Sequence, residues 1–314
     1  MSFKSSANII LNTCMGLKSD ESLLIVTDKN LSKISHAILK QADCTKSELV
    51  EIPIGKINGE EPPVDISKKM KQFDVIIIPT TRSLTHTKSR EDACLSGARI
   101  ATLPGIGEEC FNRCIDINYE TMSNLNKKIK KILDKSSRIK IITEKGTNIS
   151  FNINTRESKM DSGLLDKKGR YGNLPAGEVF VAPLEGTANG KFVVDASFAG
   201  IGKLEKPIEI VVKDGFARNV IGNKADIINN WFDQVGRNAR NLAEFGIGTN
   251  EKAIITGKLL EDEKVKGTVH LALGNNLYFG GKVNVPFHSD GVFTKPTVWA
   301  DDKIIMTEGV FVLK

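Results

Sequence analysis

The chain has 314 residues, 40% of them hydrophobic and 26% charged, with a net charge of +6. This is an ordinary soluble, globular composition, and the length suggests about two domains at roughly 150 residues each. No segment approaches the roughly 20 consecutive apolar residues of a membrane span, and the N-terminus MSFKSSANIILNTCMGLKSD lacks the apolar core and cleavage site of a signal peptide. The basic residues are dispersed apart from KKIKK at 127–131, which reads as a solvated helix face, so neither a nucleic acid nor a membrane is an expected partner. Five cysteines (Cys14, Cys44, Cys94, Cys110 and Cys114) all lie in the first half. An odd count without a secretion signal points to reduced thiols in a cytoplasm.

From the N-terminus, apolar runs at 23–28, 47–54, 74–80 and 98–104 alternate with the helical patterns LSKISHAILKQA, DISKKMKQF, KSREDACLSG and ETMSNLNKKIKKILDKS. Continuous apolar strands between helices predict a doubly wound α/β domain, residues 1–136, with a mostly parallel sheet covered on both faces. No GxGxxG follows the first strand and no Walker-type phosphate loop occurs, so nucleotide binding is not expected. His36 falls in a helical pattern and reads as structural. His86, in SLTHT, follows the strand DVIIIPT, where α/β sheets place ligand contacts; it reads either as a substrate contact or as a cap or surface residue. Cys110 and Cys114, spaced CxxxC, read as two packed thiols in preference to a zinc pair.

Past residue 137 the texture changes to hairpins. IKIITEKGTNISFNI turns at Lys-Gly, IEIVVKDGFARNVIG at Asp-Gly, and VFVAPLEGTANGKFVVDAS is expected to turn at Ala-Asn-Gly. A helical stretch, NKADIINNWFDQVGRNARNLAEF, is expected to end at Gly246. TVHLALG and PTVWADDKIIMTEGVFVL supply further strands. Residues 137–314 are therefore expected to form an antiparallel-rich α+β domain, which would carry the metal site described next.

Five hard-metal donors fall in this second half: Glu178 after a Pro-Ala-Gly turn, Glu244 in NLAEFGIGTN, His270 in GTVHLALGNN, and His288 with Asp290 in FHSDG. Only four histidines occur in the chain, and two of them lie within 19 residues. Glu178 would stand at the mouth of a strand. Glu244, in the last helical turn, would be repelled by the helix dipole unless a cation lay nearby; otherwise it is a surface acid. His270, with apolar neighbours, reads by itself as a hydrogen-bonded core histidine. The HxD spacing puts His288 and Asp290 on one face of an extended strand, although Asp290-Gly291 also suits a turn. Together, carboxylates and imidazoles at strand ends are what a catalytic site for a divalent ion is built from. Five donors would allow two ions bridged by one carboxylate, lowering the pKa of a bound water and polarising a carbonyl. Neither HExxH nor GxSxG offers a competing hydrolase signature.

PAGE, AEFGIGTN, GTVHLALG, GG and HSDG, in this order, with SLTHT and GARIATLPGI upstream, resemble the thermophilic metallo-aminopeptidase family of the aminopeptidase T and aminopeptidase S type. The resemblance implies a dimeric enzyme that removes N-terminal residues, as leucyl aminopeptidases do, from small peptides. It implies two divalent ions per chain (zinc, cobalt or manganese) on Glu178, Glu244, His270, His288 and Asp290, with Glu178 also taking part in catalysis. Tyr278 would take the place of the family's catalytic tyrosine, in the different context NNLYFGG. Ring-opening dihydroxypyridine dioxygenases resemble the same family in the HxD motif. His270, His288 and Asp290 alone make a 2-His-1-carboxylate set suited to one non-haem Fe(II), which leaves a dioxygenase as the alternative. A non-catalytic metal-binding protein is a third reading.

Overall fold

In a computed structural model that describes residues 3–313, four strands of the first half and one later strand form a five-stranded, all-parallel sheet. Ser22–Thr27 pairs with Lys46–Glu51 on one side and Val75–Ile78 on the other; Arg99–Thr102 follows, and Tyr171–Asn173 closes the far edge. Val75–Ile78 is buried throughout, as expected of a central parallel strand. Helices Ser32–Leu39, Val64–Met70, Lys88–Leu95 and Glu108–Cys114 separate the strands. The Thr87 hydroxyl accepts a hydrogen bond from the Arg90 N–H and so caps helix Lys88–Leu95. A helix at Phe3–Asn8, continuing as a π-helical turn over Ile9–Cys14, was not expected from sequence. No disulfide joins the five cysteines, and burial pushes the Cys14 thiol up to about 12.

The expected division at 136/137 is replaced by a discontinuous one. The first unit runs to Tyr119 and resumes at Asp161–Ala176; the second comprises Glu120–Met160 and the chain from Gly177 onwards. Two facts move the boundary. Ile129 and Leu133, on helix Tyr119–Leu133, are buried in the core of the second unit, and Tyr171–Asn173 hydrogen-bonds to Arg99–Thr102 of the first. Pairing between strands about 70 residues apart in sequence leaves no local trace. No helix among the described residues is long and apolar enough to cross a membrane.

The second unit holds two antiparallel sheets that share one core. The Lys-Gly and Asp-Gly hairpins form as expected, and Asp301-Asp302 turns strand Thr297–Ala300 into Lys303–Thr307, with Asp301 in the left-handed region. VFVAPLEGTANGKFVVDAS does not form a hairpin. Glu178–Val181 belongs to the seven-stranded sheet, whereas Asn189–Val194 belongs to the eight-stranded one, and Asn189-Gly190 begins that strand instead of turning it. Phe151 and Phe192 from one sheet meet Phe245 and Phe293 from the other at ring separations of 5.5 and 6.4 Å. Each such burial stabilises by about 1.5–3 kcal/mol.

A second correction concerns Glu244. The helix spans Ala225–Val235 and ends at Gly236, whose φ of +96° suits glycine, not at Gly246. After one 3-10 turn the chain becomes strand Leu242–Gly248. Glu244 thus lies on a strand and meets no helix dipole.

The middle of the seven-stranded sheet runs, in order, through Glu178–Val181, Leu242–Gly248, Val269–Gly274 and His288–Phe293. Val179, Val181, Phe245, Ile247, Val269, Leu271, Leu273 and Phe293 all enter the core. Since strand side chains alternate between faces, Glu178, Glu244, His270, His288 and Asp290 lie on the opposite one. Truncating the core face without touching a donor separates the two roles. Leu271→Ala should cost about 2–5 kcal/mol in urea unfolding while leaving divalent-ion binding intact.

Candidate metal centre

Cross-strand register decides how the donors meet. His270 stands opposite Gly246, Glu178 opposite Gly248, His288 opposite Gly274, and both Glu244 and Asp290 flank Ala272. Each donor therefore faces a residue with no side chain or only a methyl group, which leaves room above the sheet for long polar groups to converge. The requirement is sharpest at Gly246, where a β-carbon would run into the His270 ring at Nε2. Gly177, at φ +131°, makes the turn before Glu178; its carbonyl accepts the Thr249 N–H at 2.8 Å.

The five donors converge as two groups that share Glu244. His270 Nε2 lies 3.4 Å from Glu178 Oε2 and 3.7 Å from Glu244 Oε1. His288 Nε2 lies 3.3 Å from Glu244 Oε2 and 3.6 Å from Asp290 Oδ2. Glu178, Glu244 and His270 form one set of donor atoms within 4.8 Å of one another, and Glu244, His288 and Asp290 form the other. All are buried except His288, whose side chain is 29% exposed. The set fits a divalent first-row ion, since imidazole and carboxylate donors, most of them buried, have converged. His288 is further oriented by the Asn275 carbonyl, 2.8 Å from Nδ1, as the remote nitrogen of a metal-binding imidazole usually is.

The electrostatics are those of a site built around positive charge. Burial pushes the Glu244 carboxyl up, but His270 and His288 outweigh it and hold the group at about 2. Burial pushes His270 down; the hydrogen bond it donates to Glu244 and the charges of Glu178, Asp290 and Glu244 overcome this and raise it to about 9. His288 is raised well above its ordinary value against burial, chiefly by Asp290 and Glu244. Without an ion, protons on the imidazoles supply the cation that the carboxylates need.

Three neighbours of the centre were not legible in sequence. Lys264, wholly buried, sets its ammonium 2.5 Å from Glu178 Oε1 and 2.7 Å from Glu263 Oε1. Burial, with help from Glu178 and Asp290, pushes Glu263 up to about 8 although Lys264 opposes it. Phe279 lies beside His288 with ring centroids 5.3 Å apart, and the edge of one ring meets the face of the other where Phe279 packs on Phe180 at 5.4 Å. The segment carrying Phe279 is pinned by Glu185, which accepts from the Asn276 side chain and the Lys282 N–H at 2.8 Å each and pairs with Arg156. Its aromatic content is visible in sequence as NNLYFGG; its place against His288 is not. Tyr278 occupies the 3-10 turn Leu277–Phe279 and is 64% exposed. His86 is exposed in the turn before helix Lys88–Leu95 of the first unit, and His36 is on helix Ser32–Leu39, its Nδ1 2.8 Å from the Ser32 carbonyl.

The sequence model of NicX, 2,5-dihydroxypyridine 5,6-dioxygenase, matches residues 16–313. Comparison with curated proteins returns no match. Among solved structures, 2,5-dihydroxypyridine dioxygenase from Pseudomonas putida aligns with a TM-score of 0.84 at 16% identity, covering 100% of this chain and 99% of that one. Wild-type AmpT from Thermus thermophilus aligns with a TM-score of 0.73 at 15% identity, over 99% and 98%. At such identities the two structures share the fold of this chain.

Two outcomes are expected of the centre. Gly246→Ala should displace the His270 ring and weaken divalent-ion binding more than about tenfold by calorimetry, with an unchanged far-ultraviolet dichroism spectrum. The second concerns the ion-free protein and pH. His270 is raised from 6.5 to about 9, so its contribution to stability is fully present below about pH 6.5 and lost as pH rises through about 9. Chelator-treated protein should therefore melt at a lower temperature near pH 9.5 than near pH 6.5; equal melting temperatures would contradict the paired imidazole.

Proposed function

The chain belongs to the 2,5-dihydroxypyridine 5,6-dioxygenase family, and from that membership we propose that this enzyme opens a dihydroxylated aromatic ring with a single non-haem Fe(II). The observation that carries the reading is the family match over nearly the whole chain, combined with two imidazoles and an HxD carboxylate on one sheet face. His270, His288 and Asp290 would hold the ion, the 2-His-1-carboxylate donor set that suits Fe(II). Bound Fe(II) would supply the redox chemistry that lets dioxygen react with an aromatic ring. A dioxygenase places both oxygen atoms in its product, so no external reductant is needed.

The remaining residues prepare the site. Glu244, with one oxygen towards each imidazole, fixes both rings. Glu178 keeps Oε2 facing His270 while Lys264 engages Oε1, which places a carboxylate to accept the proton that a ring hydroxyl gives up as it binds. Asn275 holds the outer nitrogen of His288. Phe279 and Phe180 form an aromatic wall beside His288, which suits a flat, aromatic substrate and keeps bulk water from that side.

A second reading, a metal-dependent aminopeptidase acting on small peptides, is favoured by one specific observation: the donors fall into two groups sharing Glu244, as two ions bridged by one carboxylate would need. The likeness in fold to AmpT accords with it. In that reading Glu178 is the base for a water nucleophile, and Tyr278 would stabilise the oxyanion.

Metal analysis of anaerobically purified protein, with oxygen uptake on 2,5-dihydroxypyridine and amine release from amino-acid p-nitroanilides, decides between them. One iron per chain and oxygen uptake are expected. Two equivalents of zinc, cobalt or manganese with amine release would favour the peptidase. His288→Ala should abolish the oxygen uptake: losing an outer partner of a ligand costs about 10–100-fold, so losing the ligand itself should exceed about a hundredfold.

A further inference from the structure

Lys264 is a fully buried ammonium in a centre whose chemistry uses cations, yet it belongs to neither donor group. A buried lysine is tolerated only where it is paired, and Lys264 is paired with two carboxylates, Glu178 and Glu263. Its backbone is equally fixed. The Lys264 N–H donates to the Glu261 carbonyl at 3.0 Å, and the Lys264 carbonyl accepts the Asn250 N–H at 2.8 Å. The segment crosses against strand Leu242–Gly248 because Gly248 has no side chain: a β-carbon there would strike the Val265 carbonyl and the Lys264 backbone. The two glycines of EFGIG thus have separate tasks. Gly246 makes room for the His270 ring, and Gly248 lets Lys264 approach Glu178.

Glu178 is divided by this contact. Oε1 faces the ammonium at 2.5 Å, and Oε2 faces His270 Nε2 at 3.4 Å. We propose that Lys264 is a positioning residue of the metal centre, holding one oxygen of Glu178 so that the other stays turned towards His270. The proposal rests on the reading of these residues as a metal site. A carboxylate fixed in this way is held in one rotamer beside His270 before the ion arrives. Without Lys264 the Glu178 side chain would rotate, or lie buried without a counter-charge, and the site would have to be ordered at the expense of affinity.

The test uses Co(II) with the full chain, measuring its dissociation constant by chelator competition and its stoichiometry by native mass spectrometry. Lys264→Met should weaken Co(II) binding about 10–100-fold, as loss of an outer partner typically does. Glu178→Gln should weaken it comparably. The charge-neutral pair Lys264→Met with Glu178→Gln should bind no more weakly than Glu178→Gln alone if Lys264 acts on the ion through Glu178. Binding by Lys264→Met within threefold of wild type, or tighter than wild type, would overturn the proposal; the latter would make Lys264 a competitor of the ion. So would a pair variant more than threefold weaker than Glu178→Gln, and this comparison still decides if Lys264→Met alone does not fold. His288→Ala separates the two layers. Unaltered Co(II) binding in that variant would remove the centre itself and Lys264's role with it, whereas loss there beside unaltered binding in Lys264→Met removes only the role of Lys264.

Discussion

Successive side chains of a β-strand point to opposite faces, and four adjacent strands here divide their two faces between core and chemistry. Val179, Val181, Phe245, Ile247, Val269, Leu271, Leu273 and Phe293 anchor one face in a core shared with a second sheet. That anchoring fixes the register, because a slip of one residue would turn the apolar set out of the core and the donors into it. Small residues at Gly246, Gly248, Ala272 and Gly274 then give each donor an open neighbour across the ladder. The packing that stabilises the unit is thus also what gathers five polar groups from four strands on one sheet face.

Gathering three carboxylates and two imidazoles in a buried space is unfavourable unless positive charge joins them. Two sources are built in: protons taken up by His270 and His288, and the ammonium of Lys264. A divalent ion would displace the protons while Lys264 stays. Glu244 holds the arrangement together, offering one oxygen to each imidazole. The donors thus form two groups that meet at Glu244. The fold is shared with the structures of a 2,5-dihydroxypyridine dioxygenase and of AmpT.

The donors were legible in sequence because their chemistry is local: HxD on an alternating strand, and a histidine inside TVHLAL. The placement of Glu244 was not. NLAEF continues a helical pattern, but Gly236, eight residues before Glu244, adopts a left-handed backbone and ends the helix. Asn189-Gly190 carries a strong turn signal, overridden because the flanking strands enter different sheets. The domain boundary failed for a similar reason, since the edge strand Tyr171–Asn173 returns to the first unit through a long-range pairing. Lys264 could not be found at all, as a buried lysine in DEKVKG looks like any solvated one until Glu178 is placed beside it. The five donor types also left open which family the chain resembles most; they suit the aminopeptidases and the dioxygenases alike, and the match over residues 16–313 supplied what they could not.

The central claim is that His270, His288 and Asp290 converge on a single iron, with Glu178 and Glu244 supporting the ligands instead of recruiting a second ion. X-ray absorption fine structure at the iron edge of the loaded protein tests it directly. The account predicts one nitrogen–oxygen shell with the outer scattering of two imidazoles and no metal neighbour. A metal–metal vector at about 3.5–4 Å, or a shell without imidazole, would contradict it.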